Sequence, residues 1–235
     1  MSCDVNKADF TGIVACGHTL QDHIFKPFVA IRSNSNYYAQ RAACEDTWVP
    51  ELPWPFVFFS DAEVNHEIPQ RVYFNTGPLR RNLPKKTHLI YDWFLRNTDY
   101  THMFLVGDSN YVAVDRLVAA TPQYVDKDYV GFVLKNDKGQ VWIDDGAMWV
   151  SRKAAQIIVD DGSLLTQERE DVDVATADIL RGKVTFCSDE RYGWRLDVCL
   201  VPQKFNAQIS VKMHSPEGIR FLHNAYKTSL ETGRA

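Results

Sequence analysis

The chain has little that would place it in a membrane, an export pathway or a nucleic-acid coat. No stretch of its 235 residues approaches the roughly 18 apolar residues of a spanning helix, so no membrane span is expected. The segment from Met1 to Phe25 carries Asp4, Asp9, Gln21 and Asp22. It lacks a basic start followed by an apolar run, so no signal peptide is read there. Cysteine is scarce and odd in number: the five are Cys3, Cys16, Cys44, Cys187 and Cys199. None stands in C-x-x-C spacing, which argues against a zinc or thioredoxin-like site and for reduced, buried thiols. The expected compartment is the cytoplasm, with the Golgi lumen expected only for a trimmed part of a longer protein. An excess of positive charge is also missing, since 26 Lys and Arg stand against 30 Asp and Glu for a net charge of −4. That balance weighs against a nucleic-acid coat or a disordered tail, though a local basic patch leaves nucleic acid open as a partner. No internal repeat, low-complexity block or Gly/Ser linker interrupts the chain.

The hydrophobic share is 45%, enough for one substantial core or at most two small ones. The simplest reading is a single domain over residues 1–235, with 1–22 as an N-terminal extension. Phe28 to Arg32 is a short apolar run ending in Ser33-Asn34-Ser35, as expected of a buried strand followed by a loop. Asn36 to Trp48 then has helical stepping through Tyr37, Arg41, Cys44 and Trp48, with Ser35 as its expected cap and Pro50 and Pro53 as its stop. Phe56 to Ser60 and Arg71 to Phe74 are the next strands. Asn82 to Asn97 is predicted helical, capped by Asn82, with Pro84 in its first turn and an apolar face of Leu89, Ile90, Trp93 and Phe94.

Met103 to Val106 follows as a strand, then Val112 to Ala120 as a strand-to-helix segment. Tyr129 to Leu134, Val141 to Ile143 and Met148 to Val150 read as separate strands, with Asp144-Asp145 in a loop before the Gly146-Ala147 turn. Ser151 caps a helix through Ile158, and Asp171 to Leu180 is another helix with Gly182 just past its end. Val184 to Cys187 is a strand, and a helix starting near Ser215 covers Pro216 to Tyr226. Strand and helix alternate in the first half, which favours an α/β fold with parallel strands and helices on both faces. Such sheets bind ligands beyond the carboxyl ends of their strands. Arg32 and Ser33, Ser60 and Asp61, and Gly107-Asp108-Ser109-Asn110 all stand at such ends.

These motifs, in this order, resemble the Fringe and core-1 β1,3-galactosyltransferase type of glycosyltransferase. The resemblance runs from about Phe28 to Phe221, as a pattern without a long identical stretch. Its most specific part is Lys85-Lys86-Thr87 through Asp92-Trp93-Phe94-Leu95, followed by the run Phe104 to Leu117. The family has there a Lys-bearing helix, an apolar strand and Asp-Asp-Asp-Thr-Tyr-Val. Tyr129-Val130-Gly131 and Gly146 to Ser151 resemble its later strand and its Gly-Ala-Gly-Tyr-x-x-Ser turn. Glu170-Asp171-Val172 resembles its Glu-Asp-Val, and His214-Ser215-Pro216 its His-x-x-Pro region with Pro216 one place early. The resemblance implies a GT-A fold, a single Rossmann-like mixed sheet flanked by helices on both faces. It also implies an inverting hexosyl- or pentosyltransferase that moves a sugar from a nucleotide sugar, with a UDP-sugar as the leading donor.

That chemistry breaks a glycosyl–phosphate bond and leaves negative charge on a departing diphosphate. A divalent metal or cationic side chains stabilise it, and hard oxygen ligands suit Mn²⁺ or Mg²⁺. A carboxylate takes the proton from the acceptor hydroxyl. The resemblance assigns metal binding to Asp108, Asn110 and His214, and the base to Asp171 with Glu170 as its understudy. Arg32, Ser33, Ser60, Asp61, Lys85 and the turn Gly107, Asp108, Ser109, Asn110 are expected on the donor side. Asp144, Asp145, Gly146 and Trp149 are expected on the acceptor or sugar side. One departure stands out: the family's three aspartates fall on Gly107, Asp108 and Ser109, so its usual metal contact is a serine here. Asp108 with Asn110 offers a shifted Asp-x-Asn, and Arg80, Arg81, Lys85 and Lys86 offer positive charge in its place. Two rival readings follow. One is a non-catalytic nucleotide- or glycan-binding module. The other is a cytosolic transferase acting on modified bases in DNA.

Overall fold

A computed structural model of the chain describes residues 25–166, 171–193, 207–213 and 215–232. In chain order the elements are β1 (Pro27–Arg32), α1 (Tyr38–Asp46), β2 (Phe56–Asp61), β3 (His66–Ile68), β4 (Arg71–Phe74) and α2 (Leu83–Asn97). Then come β5 (His102–Gly107), β6 (Asn110–Val112), α3 (Val114–Ala120), β7 (Tyr129–Lys135), β8 (Val141–Ser151) and α4 (Arg152–Asp161). The last are α5 (Val172–Leu180), β9 (Phe186–Ser188), β10 (Ser210–Lys212) and α6 (Pro216–Glu231). Eight strands form one sheet in the order β3-β4-β2-β1-β5-β8-β7-β9. β1 runs parallel to β2 and β5, and β2 runs parallel to β4. β8 lies antiparallel between β5 and β7, which makes the sheet mixed. β6 and β10 form a separate antiparallel pair.

The central strands are buried on both faces, which is why they read as continuous apolar runs. In β1, Val29 and Ile31 join one core cluster with Cys44 of α1, Leu117 of α3 and Leu222 of α6. Phe28 and Ala30 join the other with Phe94 of α2, Ala155 of α4 and Leu180 of α5. The molecule is therefore a three-layer α/β structure, and its parallel strands all deliver their carboxyl ends to one edge.

Several local expectations are corrected. The helix expected from Asn36 begins as a 3₁₀ turn, Ser35–Tyr37, whose cap is Asn34, with Oδ1 accepting from the Asn36 amide at 2.9 Å. Ser35 instead donates its hydroxyl to Asp61. Asn82 stands at the start of α2 without a side-chain cap bond. The hairpin strand β3 was not anticipated, because His66-Glu67-Ile68 is exposed and carries no burial pattern. α6 runs on to Glu231, five residues beyond the expected Tyr226. Ser151 and Ser215 do cap α4 and α6, accepting from the Ala154 and Gly218 amides.

The most consequential correction concerns Asp144 and Asp145. They do not lie in a loop but inside β8, a continuous strand. β7 pairs Gly131 with Met148 and Val133 with Ile143, so Phe132 alone faces the run Asp144–Ala147. This irregularity is a β-bulge larger than the usual one extra residue, and bulges re-aim side chains at the ends of sheets. Two glycines make it fit. A Cβ on Gly131 would stand 2.5 Å from Ile143 Cγ2, and one on Gly146 would stand 2.9 Å from Asp144 Oδ2. The missing Cβ at each glycine leaves room for the Ile143 and Asp144 side chains.

Candidate active site

The carboxyl edge brings together the ends of β1, β2 and β5. Register places Arg32 beside Gly107, and the chain leaves both strands side by side, with the Asp108 amide bonded to the Arg32 carbonyl at 2.9 Å. Ser33 Oγ donates to Asp108 Oδ2 at 2.7 Å, so the turn after β5 is tied to the loop after β1. Lys86 of α2 reaches in from the helix layer. Its ammonium donates to Asp61 Oδ1 at 2.5 Å and to the Ser33 carbonyl at 3.0 Å. Asp61 also accepts from the Ser35 hydroxyl at 2.5 Å. Lys86 and Asp61 are both 3% exposed, so this is a buried, fully engaged ion pair.

The β8 bulge supplies the opposing wall. Arg32 donates to Asp145 Oδ2 at 2.7 Å, to the Asp145 carbonyl at 2.9 Å and to Thr87 Oγ1 at 3.2 Å. Asp144 turns the other way, accepting from the Gly146 amide. Beneath it, Asn110 donates its amide to Ser210 Oγ at 2.9 Å. Asn110 Oδ1 is buried without a partner and stands 3.5 Å from where a Gly107 Cβ would be. Lys212 of β10 is in register with Asn110. The start of α5, packed over β8, adds Asp171 and Asp173.

Electrostatics separate these carboxyls. Burial pushes Asp108 up to about 6, although Ser33, Lys86 and Arg32 all favour its ionised form. Burial and then the adjacent Asp145 push Asp144 up to about 6, with Lys212 working against the rise. For Asp145, burial is outweighed by Arg32 and Lys212, which hold the carboxyl below its ordinary value. Burial and the Asp145 charge raise Asp173. The site thus holds one firmly ionised carboxylate beside three that burial leaves easier to protonate.

Asp144 gives a test of stability. Its folded value of about 6 lies above the ordinary 3.8, so between the two the folded chain binds more protons than the unfolded one. Stability is therefore lost as pH rises through that window, by an amount on the order of 1–3 kcal/mol. Asp144→Asn is expected to melt higher than wild type at about pH 8 and equally near pH 4, as read by thermal unfolding. A variant that melts lower at both would show that the Asp144 carboxylate is a net stabiliser.

Other expected site residues lie elsewhere. Lys85 is exposed on α2, while its neighbour Lys86 is the lysine drawn into the site. Sequence stepping offered a signal, since Lys86, Ile90 and Phe94 recur at spacing four along the buried face of α2. Trp149 does not face the cleft. It packs against Phe104 and Tyr124 and donates its indole N–H to Tyr192 Oη at 2.8 Å. Its place in the core follows from the register, which puts it opposite Phe104 in the middle of the sheet. Ser60 is buried with its hydroxyl unpartnered, and Ser109 gives its carbonyl to the Met213 amide at 2.6 Å. Arg80 and Arg81 are exposed on the 3₁₀ turn, Arg80–Asn82, that leads into α2. Glu170 and His214 lie outside the described residues. The sequence assigns no site role to Thr87, Asp173 or Lys212, which the pairing of elements brings here.

Among the described residues, no group of three or more His, Cys, Asp or Glu side chains converges to hold a metal ion. What the site does offer is a carboxylate on Asp108 and the orphaned, buried Oδ1 of Asn110. A Mg²⁺ or Mn²⁺ ion held by one or two carboxylates and completed by substrate phosphates suits so sparse a donor set. A groove between Glu45, Phe56, Ile68 and Arg71 lies at the opposite end of β2, and the Glu45–Arg71 ion pair at its wall leaves no carboxylate cluster there.

This sheet order and its strand-end cleft define the GT-A class of α/β fold. A glycosyltransferase involved in the glycosylation of the major capsid of PBCV-1 superposes on 83% of this chain and 100% of its own, with a TM-score of 0.52 and 13% identity. The galactosyltransferase LgtC, in complex with donor and acceptor sugar analogs, matches 84% of this chain and 95% of its own, with a TM-score of 0.52 and 10% identity. At these identities the likeness is one of fold. No protein-family model and no curated protein sequence matches the chain.

Proposed function

We propose that this protein is a glycosyltransferase that moves a sugar from a nucleotide sugar to a hydroxyl acceptor, with a UDP-sugar as donor. The observation that carries the reading is the strand-end cleft. There the Ser33–Asp108 pair faces the Asp144-Asp145 bulge and the carboxylates that open α5. The same fold in two sugar transferases supports it. Asp108 and Asn110 would hold Mn²⁺ or Mg²⁺ together with the donor diphosphate, and the metal supplies charge stabilisation for that leaving group. Asp145, kept ionised by Arg32, presents an acceptor of hydrogen bonds for sugar hydroxyls. Asp171 is exposed at the head of α5 with no side-chain cap bond, free to take a proton from an incoming acceptor. A single base opposite the leaving group gives inversion, by analogy with one-step displacement at other anomeric centres.

The serine in place of the third aspartate also favours a second reading, a binding module without turnover. One experiment separates them. Calorimetry with UDP, GDP, ADP and dTDP, with and without manganese, is expected to show a nucleoside diphosphate binding at or below about 1 mM, roughly 4 kcal/mol of binding free energy. One carboxylate and one amide among the described residues, even with the His214 imidazole added, make a poorer site than two carboxylates with an imidazole, so manganese is expected to sharpen binding only at millimolar levels. Absence of binding by all four nucleotides would end the donor reading. Binding without release of nucleotide from any sugar donor would favour the module.

A further inference from the structure

α1 carries a cation with no anion beside it among the described residues. Arg41 is 9% exposed, its Nε is buried without a hydrogen-bond partner, and no ion pair engages it among the described residues. Its one described contact is the Tyr38 ring, 5.3 Å from the guanidinium carbon. The helix has acids to spare, yet they are spent elsewhere. Glu45, four residues on and the natural helical partner, pairs with Arg71 at 2.7 Å. Asp46 pairs with Arg220 at 2.7 Å. The first turn of α1 holds no acidic residue, so Arg41 also sits at the end of the helix where the backbone is itself positive. A buried cation so placed costs folding free energy unless an outside anion offsets it.

Its place on the helix sets which part of the molecule it borders. Cys44, three residues along the same helix face, lies with its thiol 3.2 Å from the Asp108 carbonyl and 3.9 Å from that of Asn110. That face of α1 is therefore set against the turn after β5. Arg41 lies one turn nearer the helix start, where the chain arrives from Ser33. Ser33 binds both Asp108 through its hydroxyl and Lys86 through its carbonyl.

We infer that Arg41 is a phosphate-binding residue, whose guanidinium receives a diphosphate or phosphate group of the ligand beside the Asp108 turn. A planar guanidinium matches phosphate oxygens in pairs, which an ammonium does not. In a site poor in metal ligands it adds fixed positive charge toward the leaving group. Naming that group as the donor diphosphate rests on the glycosyltransferase reading; the anion site itself does not.

The test titrates inorganic pyrophosphate and UDP into wild type, Arg41→Gln and Arg41→Lys by calorimetry, with the unfolding midpoint of each free protein measured alongside. Arg41→Gln is expected to bind pyrophosphate and UDP roughly 10- to 100-fold more weakly and to melt no lower than wild type without ligand. Arg41→Lys should fall between, having charge without the fork. Unchanged pyrophosphate affinity in Arg41→Gln, with a lowered midpoint, would make Arg41 a structural partner of Tyr38 and overturn the inference. Should Arg41→Gln fail to fold, wild-type pyrophosphate affinity in Arg41→Lys would overturn it equally. Wild type that binds pyrophosphate but no nucleoside diphosphate sinks the donor reading and leaves this site standing. Wild type that binds UDP with an affinity Arg41→Gln retains sinks this site alone, and wild type that binds neither sinks both.

Discussion

Asp171→Asn is expected to keep its fold and its nucleotide affinity while losing sugar transfer by about 10²–10⁴-fold, the usual cost of removing a general base. The fold should survive because Asp171 is exposed and makes no cap bond to α5, whose burial comes from Val172, Ala175 and Ile179. Donor binding should survive because Ser33, Asp108 and Lys86 are linked to one another and not to α5. The comparison that matters is Asp173→Asn. Asp173 is half-buried beside Asp171, and burial and then the Asp145 charge raise its carboxyl above the ordinary value. If Asp173→Asn loses transfer while Asp171→Asn does not, the base is two residues further along and the displacement mechanism stands. Asp145→Asn is a third arm, since it unpairs Arg32 and is expected to raise KM for the sugar donor. Rates must be read on transfer to the acceptor, because slow donor hydrolysis by water needs no base. Wild-type transfer by all three variants would remove the one-base mechanism altogether.

Where the sequence was legible, a local pattern and a tertiary demand agreed. The apolar runs of β1, β2 and β5 are buried on both faces; β1 ends at Arg32, β2 at Asp61, and β5 at Gly107 just before Asp108, because each leaves the sheet at the carboxyl edge. The caps at Ser151 and Ser215 were legible because a serine bonding three residues ahead needs no partner from elsewhere. Ser35 and Asn82 have the same chemistry and failed as caps. Asp61, brought by β2, offers the Ser35 hydroxyl a charged acceptor that local sequence does not reveal.

The site was legible only in outline. Ser33 and Asp108 stand together because their strands are paired, and strand ends were visible. Asp144 and Asp145 looked like loop residues because two adjacent acids next to a glycine usually are. Only the pairing of β7 with β8 shows that they belong to a bulged strand aimed at Arg32. Lys212 enters through the register of β10 with β6, a long-range pairing with no trace in local composition. Trp149 is the complementary case: it is expected on the acceptor or sugar side, but its position opposite Phe104 places it in the core.

Lys86→Met is expected to destabilise the protein by roughly 3–5 kcal/mol near pH 7, the cost of leaving one member of a buried ion pair alone. For a chain of this size that is a fall in melting temperature on the order of 10 °C. The abandoned group is Asp61, 3% exposed and left with Ser35 as its donor. In the wild type, burial opposes the Asp61 carboxylate but bonds from Lys86 and Ser35 prevail and hold it below its ordinary value. Its contribution is thus present above that ordinary value and lost as pH falls through the folded one. In Lys86→Met the preference reverses, because burial now favours the protonated acid. The gap between variant and wild type should therefore narrow as pH drops toward about 4. Lys86→Met combined with Asp61→Leu removes both charges and is expected to recover most of the loss, since a buried pair exchanged for apolar groups is often neutral. Recovery of stability without recovery of nucleotide binding would locate the function of the pair. Lys86 holds the Ser33 carbonyl, and Ser33 holds Asp108, so the ion pair fixes the loop on which the donor side of the cleft depends. A Lys86→Met variant within about 1 kcal/mol of wild type at neutral pH would show that water reaches Asp61 readily, and the cleft would then have no rigid floor at β2.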